Sequence, residues 1–197
     1  MTTSIEFFDR QFEDQVLRGQ YKLNKFEQMT QLYLRGDVLD FGCGLGNLAV
    51  AAAESGCRVF ALDAAPTAIA NLQRMASERG LAIKAVEADL RSYRIEDDYD
   101  AVVSIGLLMF FDRDTALTQL TRLKERVRPG GVASVNVLIE GTTFLDMFGT
   151  GPYYLFRKDE LAEAFRNWDI LVESFSNSDA PNSTVKSFVT VIAQRPR

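Results

Sequence analysis

A glycine-rich segment after a short apolar stretch carries the strongest chemical signal in this sequence. Residues 38–41 read VLDF, residues 42–46 read GCGLG, and helix-forming residues follow. Glycine lets the backbone turn sharply and approach a ligand closely. In open α/β sheets such a turn lies at the carboxyl edge of the sheet, beside a helix N-terminus. We therefore predict a ligand-binding loop at residues 42–46.

The spacing of this loop argues against a dinucleotide. The fingerprint G-x-G-x-x-G would place its third glycine at position 47, which is Asn47, whereas the chain has Gly46. Asp40 also lies just before the first glycine. A pyrophosphate prefers a helix N-terminus without nearby carboxylates, but a ligand that carries an ammonium and a sulfonium group gains from one. The loop therefore favours a cationic ligand over NAD.

Two further acidic residues follow at the ends of the next two apolar runs. Asp63 lies 23 positions after Asp40, where a carboxylate can accept hydrogen bonds from both ribose hydroxyls. Asp89 ends the third run and is placed to accept a hydrogen bond from an adenine amino group. A single aspartate at a strand end is often only a turn residue. Three of them beside a glycine loop predict a site for an adenosine-containing cation.

The elements that would position these residues follow an alternating pattern. Apolar runs rich in β-branched residues alternate with segments of helical period, which is typical of βαβ units. We predict an α/β fold with a doubly wound, Rossmann-like, mainly parallel sheet, helices on both faces and a C-terminal antiparallel hairpin. Strands are expected near 37–41, 58–62, 83–87, 100–105, 132–138, 170–174 and 186–193. Helices are expected at 5–17, 22–34, 48–54, 67–79, 115–126 and 158–167. Turns or loops are expected at 128–131 and 176–184.

The length of 197 residues indicates one domain. We expect residues 1–35 to form an N-terminal helical cap and residues 36–138 to form the cofactor-binding core. Residues 139–197 would then supply a substrate-side segment and the terminal hairpin.

The charge and the cysteine content narrow the partners and the compartment. A formal net charge of −5 leaves no basic surface for nucleic acid. No stretch is long and apolar enough to span a membrane, and residues 1–14 do not read as a secretory leader. Two cysteines, Cys43 and Cys57, fit a reducing compartment. We expect a cytoplasmic monomer or homodimer that acts on a small molecule.

The chain contains no histidine. Histidine general-base catalysis, Ser-His-Asp triads and histidine-ligated zinc are therefore excluded for this chain, and we predict no metal site. The chemistry must require none of these groups.

The glycine loop and its three acids resemble the successive motifs of class I S-adenosylmethionine-dependent methyltransferases over approximately residues 37–138. The resemblance implies S-adenosylmethionine as the cofactor. It places the loop around the methionine part, Asp63 at the ribose and Asp89 at the adenine. The full set of implied cofactor-binding residues is Asp40, Gly42, Cys43, Gly44, Gly46, Asp63, Ala64, Asp89, Leu90, Ser104 and Gly106.

Later segments are similar to the tellurite-resistance and thiol methyltransferase branch, namely residues 108–111, 154–161 and 165–170. This resemblance implies methyl transfer to a small acceptor with a soft nucleophile, a thiol or a chalcogen. Enzymes of this fold that methylate DNA or protein amines often carry Asn/Asp-Pro-Pro-aromatic after the fourth strand. The chain has SIGL at residues 104–107 instead, which disfavours amine chemistry.

Aromatic residues from both ends of the chain are expected to line an apolar acceptor pocket. They are Phe7, Phe8, Tyr21, Met109, Phe110, Phe111 and the cluster 144–156. Tyr21, Tyr153 and Arg157 are the candidates for polar or catalytic contacts, and no catalytic residue is assigned. The alternatives are an oxygen or nitrogen acceptor and a non-catalytic module that only binds the donor.

Overall fold

The computed structural model describes residues 3–197, which contain one sheet of seven strands. The strands are β1 (Asp37–Phe41), β2 (Arg58–Asp63), β3 (Ile83–Glu87), β4 (Tyr99–Ile105), β5 (Val127–Leu138), β6 (Asp169–Ala180) and β7 (Thr184–Gln194). The α-helices are α1 (Ser4–Leu17), α2 (Lys25–Gln31), α3 (Asn47–Glu54), α4 (Pro66–Arg79), α5 (Arg113–Glu125) and α6 (Glu160–Ala164). Short 3-10 helices lie at Leu108–Phe110, Asp146–Phe148 and Pro181–Ser183.

The strand order is β3-β2-β1-β4-β5-β7-β6. Strands β1 to β5 are parallel, and β7 lies antiparallel between β5 and β6. The predicted fold class is therefore confirmed. The order reverses between β1 and β4, and a cleft opens at the carboxyl ends of the strands at such a switch point.

Alternate side chains of the strands fill two cores, one on each face of the sheet. On one face, Leu39 and Val102 pack with Leu120 and Leu123 of α5. On the other face, Val38, Val103 and other strand residues pack with the apolar faces of α3 and α4. Strands β1 and β4 carry apolar side chains on both faces because helices cover both faces of the sheet.

The start of β5 differs from the prediction. Residues 128–131 were expected to form a turn, but β5 begins at Val127 and includes them. Val127 pairs with Tyr99, and the register then shifts before Ala101 pairs with Val132. This irregularity accommodates Pro129, which has no N–H to donate to a sheet.

The terminal hairpin is also longer than predicted. Strand β6 reaches Ala180 and β7 begins at Thr184, so the expected loop at 176–184 is reduced to Pro181–Ser183. The polar residues 176–180 pair with 184–188 because β6 is an edge strand with one solvent-exposed side. The polar composition of residues 176–180 therefore predicted a loop where the structure has the end of β6.

The N-terminal helices begin at capping boxes. Thr3 and Glu6 cap α1, and Asn24 and Glu27 cap α2, so α2 is shorter than the predicted helix 22–34. Helix α2 docks on the sheet through Thr30, whose hydroxyl lies 2.6 Å from the Ser134 hydroxyl. Helix α6 is likewise shorter than the predicted 158–167. Within residues 3–197, none of the helices has the length and apolar character needed to span a bilayer.

Candidate functional site

A cleft of about 810 Å³ opens at the carboxyl edge of the sheet. Its floor comes from the ends of β1, β2 and β4 and from the glycine loop, and its cover comes from α1 and residues 19–27. This volume lies within the range of small-molecule sites. The residues that α1 contributes are Ser4, Ile5, Phe8, Gln11, Phe12 and Gln15.

Backbone hydrogen bonds tie the glycine loop to the end of β2. The N–H groups of Gly42 and Cys43 donate to the Leu62 carbonyl at 2.8 and 2.9 Å. The Gly44 N–H donates to Asp63 Oδ2 at 2.8 Å. The loop is thereby held open towards the cleft, where the Phe12 ring covers Gly44.

Asp63 and Asp89 lie at successive strand ends along the cleft. Asp63 Oδ1 accepts the Ala65 N–H at 2.9 Å. Burial raises the pKa of Asp63, and the hydrogen bonds from the Ala65, Gly44 and Ala64 backbone oppose this shift. Asp89 is exposed, and its Oδ1 accepts the Arg91 N–H at 3.1 Å. Both carboxylates retain capacity to accept further hydrogen bonds from a ligand.

Asp40 is the electrostatically unusual residue of the cleft. Its side chain is 4% exposed, and Oδ2 accepts no hydrogen bond from any residue in 3–197. Burial raises the pKa of Asp40 to about 8, and repulsion from Glu27 and Asp63 adds to this shift. A buried unpartnered carboxyl is costly unless a ligand satisfies it. The position therefore suits a cationic hydrogen-bond donor.

Removing this carboxyl is expected to change how the stability of the ligand-free protein depends on pH. Native Asp40 keeps its proton up to about pH 8, whereas the unfolded carboxyl releases it near pH 4. The wild-type free energy of unfolding should therefore fall as the pH rises from about 4 to about 8. Thermal melts should show the Asp40→Asn variant gaining stability relative to wild type across this range. Parallel curves for the two proteins would contradict the assignment.

The structure brings most of the predicted cofactor-binding residues to this cleft. Those on its wall are Asp40, Gly42, Cys43, Gly44, Asp63, Ala64, Asp89, Leu90 and Gly106. Gly46 instead packs under α4, where an added Cβ would lie 2.5 Å from Leu72. Ser104 is fully buried and does not line the cleft.

The three candidates for catalytic contacts lie elsewhere. The Tyr21 hydroxyl donates to Asn71 Oδ1 at 3.2 Å, and the Tyr153 ring stacks on Phe148 at 4.4 Å. Arg157 pairs with Glu163 at 2.9 Å on the surface. None of the three is among the residues of 3–197 that line the cleft.

Some of the predicted aromatic residues do line the cleft. Phe8 and Phe110 meet edge to face at 5.1 Å, and Phe111 lies on the same wall. Phe7 and Met109 pack instead in an adjacent cluster with Phe148. The apolar part of the cleft lining therefore includes only some of the expected residues, together with Ile5, Ile105 and Leu107.

Several cleft residues were missed by the sequence reasoning. Lys22, Asn24 and Glu27 reach the cleft from the segment between α1 and α2, and Arg91 follows Asp89. The Asn24-x-x-Glu27 spacing indicates a helix start. It does not indicate that the Glu27 carboxylate faces a ligand site, because that depends on how α2 docks.

Sequence comparison places this arrangement among known proteins. Residues 38–131 match a family model described as a methyltransferase domain. The chain is 27% identical over 165 residues to Hemagglutinin 1 of Eikenella corrodens, which covers 80% of this chain and 54% of that protein. It is 26% identical over 165 residues to the probable S-adenosyl-L-methionine-dependent methyltransferase TehB of Haemophilus influenzae, which covers 80% of this chain and 57% of TehB. The chain thus spans just over half the length of these relatives.

Solved structures show the same fold. The crystal structure of Haemophilus influenzae TehB superimposes with a TM-score of 0.77 at 21% identity, covering 90% of this chain and 64% of that one. A structure from work on the conversion of a disulfide bond into a thioacetal group during echinomycin biosynthesis has a TM-score of 0.61 at 28% identity. It covers 87% of this chain and 81% of that one.

Proposed function

We propose that this chain, which belongs to the class I S-adenosylmethionine-dependent methyltransferases related to TehB, transfers a methyl group from S-adenosylmethionine to a small-molecule acceptor. The observation that carries the proposal is the unpartnered, buried Asp40 carboxyl beside the glycine loop. A donor with an ammonium and a sulfonium group supplies the positive charge that this position lacks.

The lining of the cleft offers residues for each part of this donor. Asp40, Gly42 and Gly44 would hold the methionine part, and Asp63 would accept hydrogen bonds from the ribose. Asp89 and Leu90 would hold the adenine. When bound, the donor supplies a methyl group that its sulfonium has already activated for in-line displacement. The remaining work of the chain is to align the acceptor and to exclude water.

The acceptor end of the cleft supports a soft nucleophile. Phe8 and Phe110 contribute apolar rings to the cleft, and neither histidine nor tyrosine is among its lining residues within 3–197. Cys43 lines the cleft, but burial raises the pKa of its thiol well above the ordinary value, which keeps it protonated. A thiol or a chalcogen anion needs no base from the protein. The similar solved structure from work on converting a disulfide bond into a thioacetal group also supports a sulfur acceptor.

Two measurements test the proposal in sequence. Calorimetry should show binding of S-adenosylmethionine and no measurable binding of NAD; tighter binding of NAD would overturn the donor assignment. Methyl transfer should then be screened against thiols, chalcogen oxyanions, carboxylates and phenols. Turnover of thiols or chalcogens is expected, whereas binding of the donor without any turnover would indicate a module that only binds it.

The pH dependence of the rate tests the mechanism at saturating donor concentration. If the acceptor is a thiol and the protein supplies no base, the ionisation of the acceptor governs kcat/KM. For two thiols whose own pKa values differ by about two units, the midpoints of the two rate profiles should differ by about the same amount. One fixed midpoint for every acceptor would instead identify a base on the protein and favour an oxygen or nitrogen acceptor.

A further inference from the structure

Glu27 places a second carboxylate in the cleft beside Asp40. It lies in the first turn of α2, and its Oε2 accepts the Asn24 N–H at 2.7 Å. Its Oε1 accepts no hydrogen bond from the residues that the structure describes. The capping box thus uses one oxygen and leaves the other available to a ligand.

The position of Glu27 is set by packing that involves no ligand. The Thr30 hydroxyl, one turn later, contacts Ser134 of β5, and the Phe26 ring packs on Phe188 of β7 at 4.9 Å. Helix α2 is thereby anchored against β5 and β7 of the sheet. Glu27 and Asp40 consequently line the same cleft, where repulsion from Glu27 contributes to the raised pKa of Asp40.

Within residues 3–197, no cation forms a salt bridge with either carboxyl of this pair. Asp63 at the end of β2 is a third acid, and Cys43 in the glycine loop is a neutral thiol. Lys22, from the segment before α2, is a cationic residue of the cleft lining. Within residues 3–197 it forms no salt bridge. Asp40 Oδ2 is buried and unpartnered. Burial raises the pKa of Glu27 as well.

We infer that Glu27 and Asp40 together bind the α-ammonium group of the donor, so that α2 contributes a donor-binding residue outside the glycine loop. An ammonium carries three N–H donors. The Asp40 carboxyl and Glu27 Oε1 offer acceptors that no described residue uses, and the pair gains its full negative charge when the ammonium displaces the proton that Asp40 holds. This inference rests on the proposed function, because it concerns the same donor.

The test compares two adenosine ligands on three proteins by calorimetry. S-adenosylhomocysteine carries the α-ammonium group, whereas 5′-methylthioadenosine lacks the amino acid part. Glu27→Gln removes the charge and keeps the capping hydrogen bond, because glutamine also completes a capping box. Glu6→Gln is the matched control, since Glu6 caps α1 in the same way, with Oε2 accepting the Thr3 N–H at 2.9 Å, and does not line the cleft.

Glu27→Gln should raise the dissociation constant for S-adenosylhomocysteine about tenfold. The dissociation constant for 5′-methylthioadenosine should stay within about twofold of the wild-type value. Glu6→Gln should change neither. If Glu27→Gln weakens the binding of both ligands equally, or changes the binding of neither, the inference is overturned while the proposed function stands. If wild-type protein binds neither ligand, the proposed donor site itself fails.

Proton release provides a measurement that needs no variant. Near pH 7, binding of S-adenosylhomocysteine should release more protons than binding of 5′-methylthioadenosine, because the ammonium displaces a proton held by the carboxyl pair. Calorimetry in buffers of different ionisation enthalpy counts these protons. Equal proton counts for the two ligands would contradict the inference.

Discussion

Replacing Gly44 by valine is expected to raise the dissociation constant for S-adenosylmethionine at least about a thousandfold, or about 4 kcal/mol. Gly44 has a φ of +52°, and an added Cβ would lie 3.2 Å from the Phe12 ring that covers the loop. A β-branched residue is strained at this φ and would occupy ligand space. Any shift of the loop also disturbs the Gly44 N–H that donates to Asp63.

Gly80 provides the control for backbone strain. It has a φ of +62°, and an added Cβ would meet nothing within 4 Å. Gly80→Val should therefore lower the melting temperature without changing donor affinity, whereas Gly44→Val should abolish binding by a protein that is still folded. Calorimetry and thermal melts on both variants separate the two effects. Undiminished donor binding by Gly44→Val would show that the loop does not touch the donor.

The second large effect is expected at Asp63. Replacing Asp63 by alanine should weaken donor binding by about 1.5–3 kcal/mol, because charge-assisted hydrogen bonds to the ribose would be lost. This corresponds to roughly a tenfold to 150-fold higher dissociation constant. The structure adds a second contribution, since Asp63 Oδ2 and Oδ1 also accept the N–H groups of Gly44 and Ala65. Alanine therefore also releases the loop.

Asp63→Asn distinguishes these two contributions. Asparagine keeps one acceptor oxygen for the loop but loses the charge and the second acceptor. Its dissociation constant for S-adenosylmethionine should lie between those of wild type and Asp63→Ala. An unchanged dissociation constant in Asp63→Ala would remove Asp63 from the donor site, while reduced stability of that variant alone would leave it a purely structural residue.

The sequence by itself determined the fold class, because local patterns carry it. Apolar β-branched runs that alternate with helical segments specify a parallel sheet. Asp40, Asp63 and Asp89 lie at or just beyond the carboxyl ends of three successive strands, and the glycine loop follows the first of these strands. Carboxyl ends of adjacent parallel strands meet at one edge of the sheet, so covalent order alone predicted that these residues share a site. All three acids line the cleft.

Only the tertiary structure decided which residues cover that edge. The docking of α1 and α2 depends on contacts between distant elements, such as the Thr30 and Ser134 hydroxyls 104 positions apart. It brought Phe12 and Glu27 to the cleft and left Tyr153 packed on Phe148 outside it. The same holds for β6, where pairing with β7 extends the strand through polar residues. Side-chain chemistry is visible in a sequence, but which groups face one another depends on packing between remote segments.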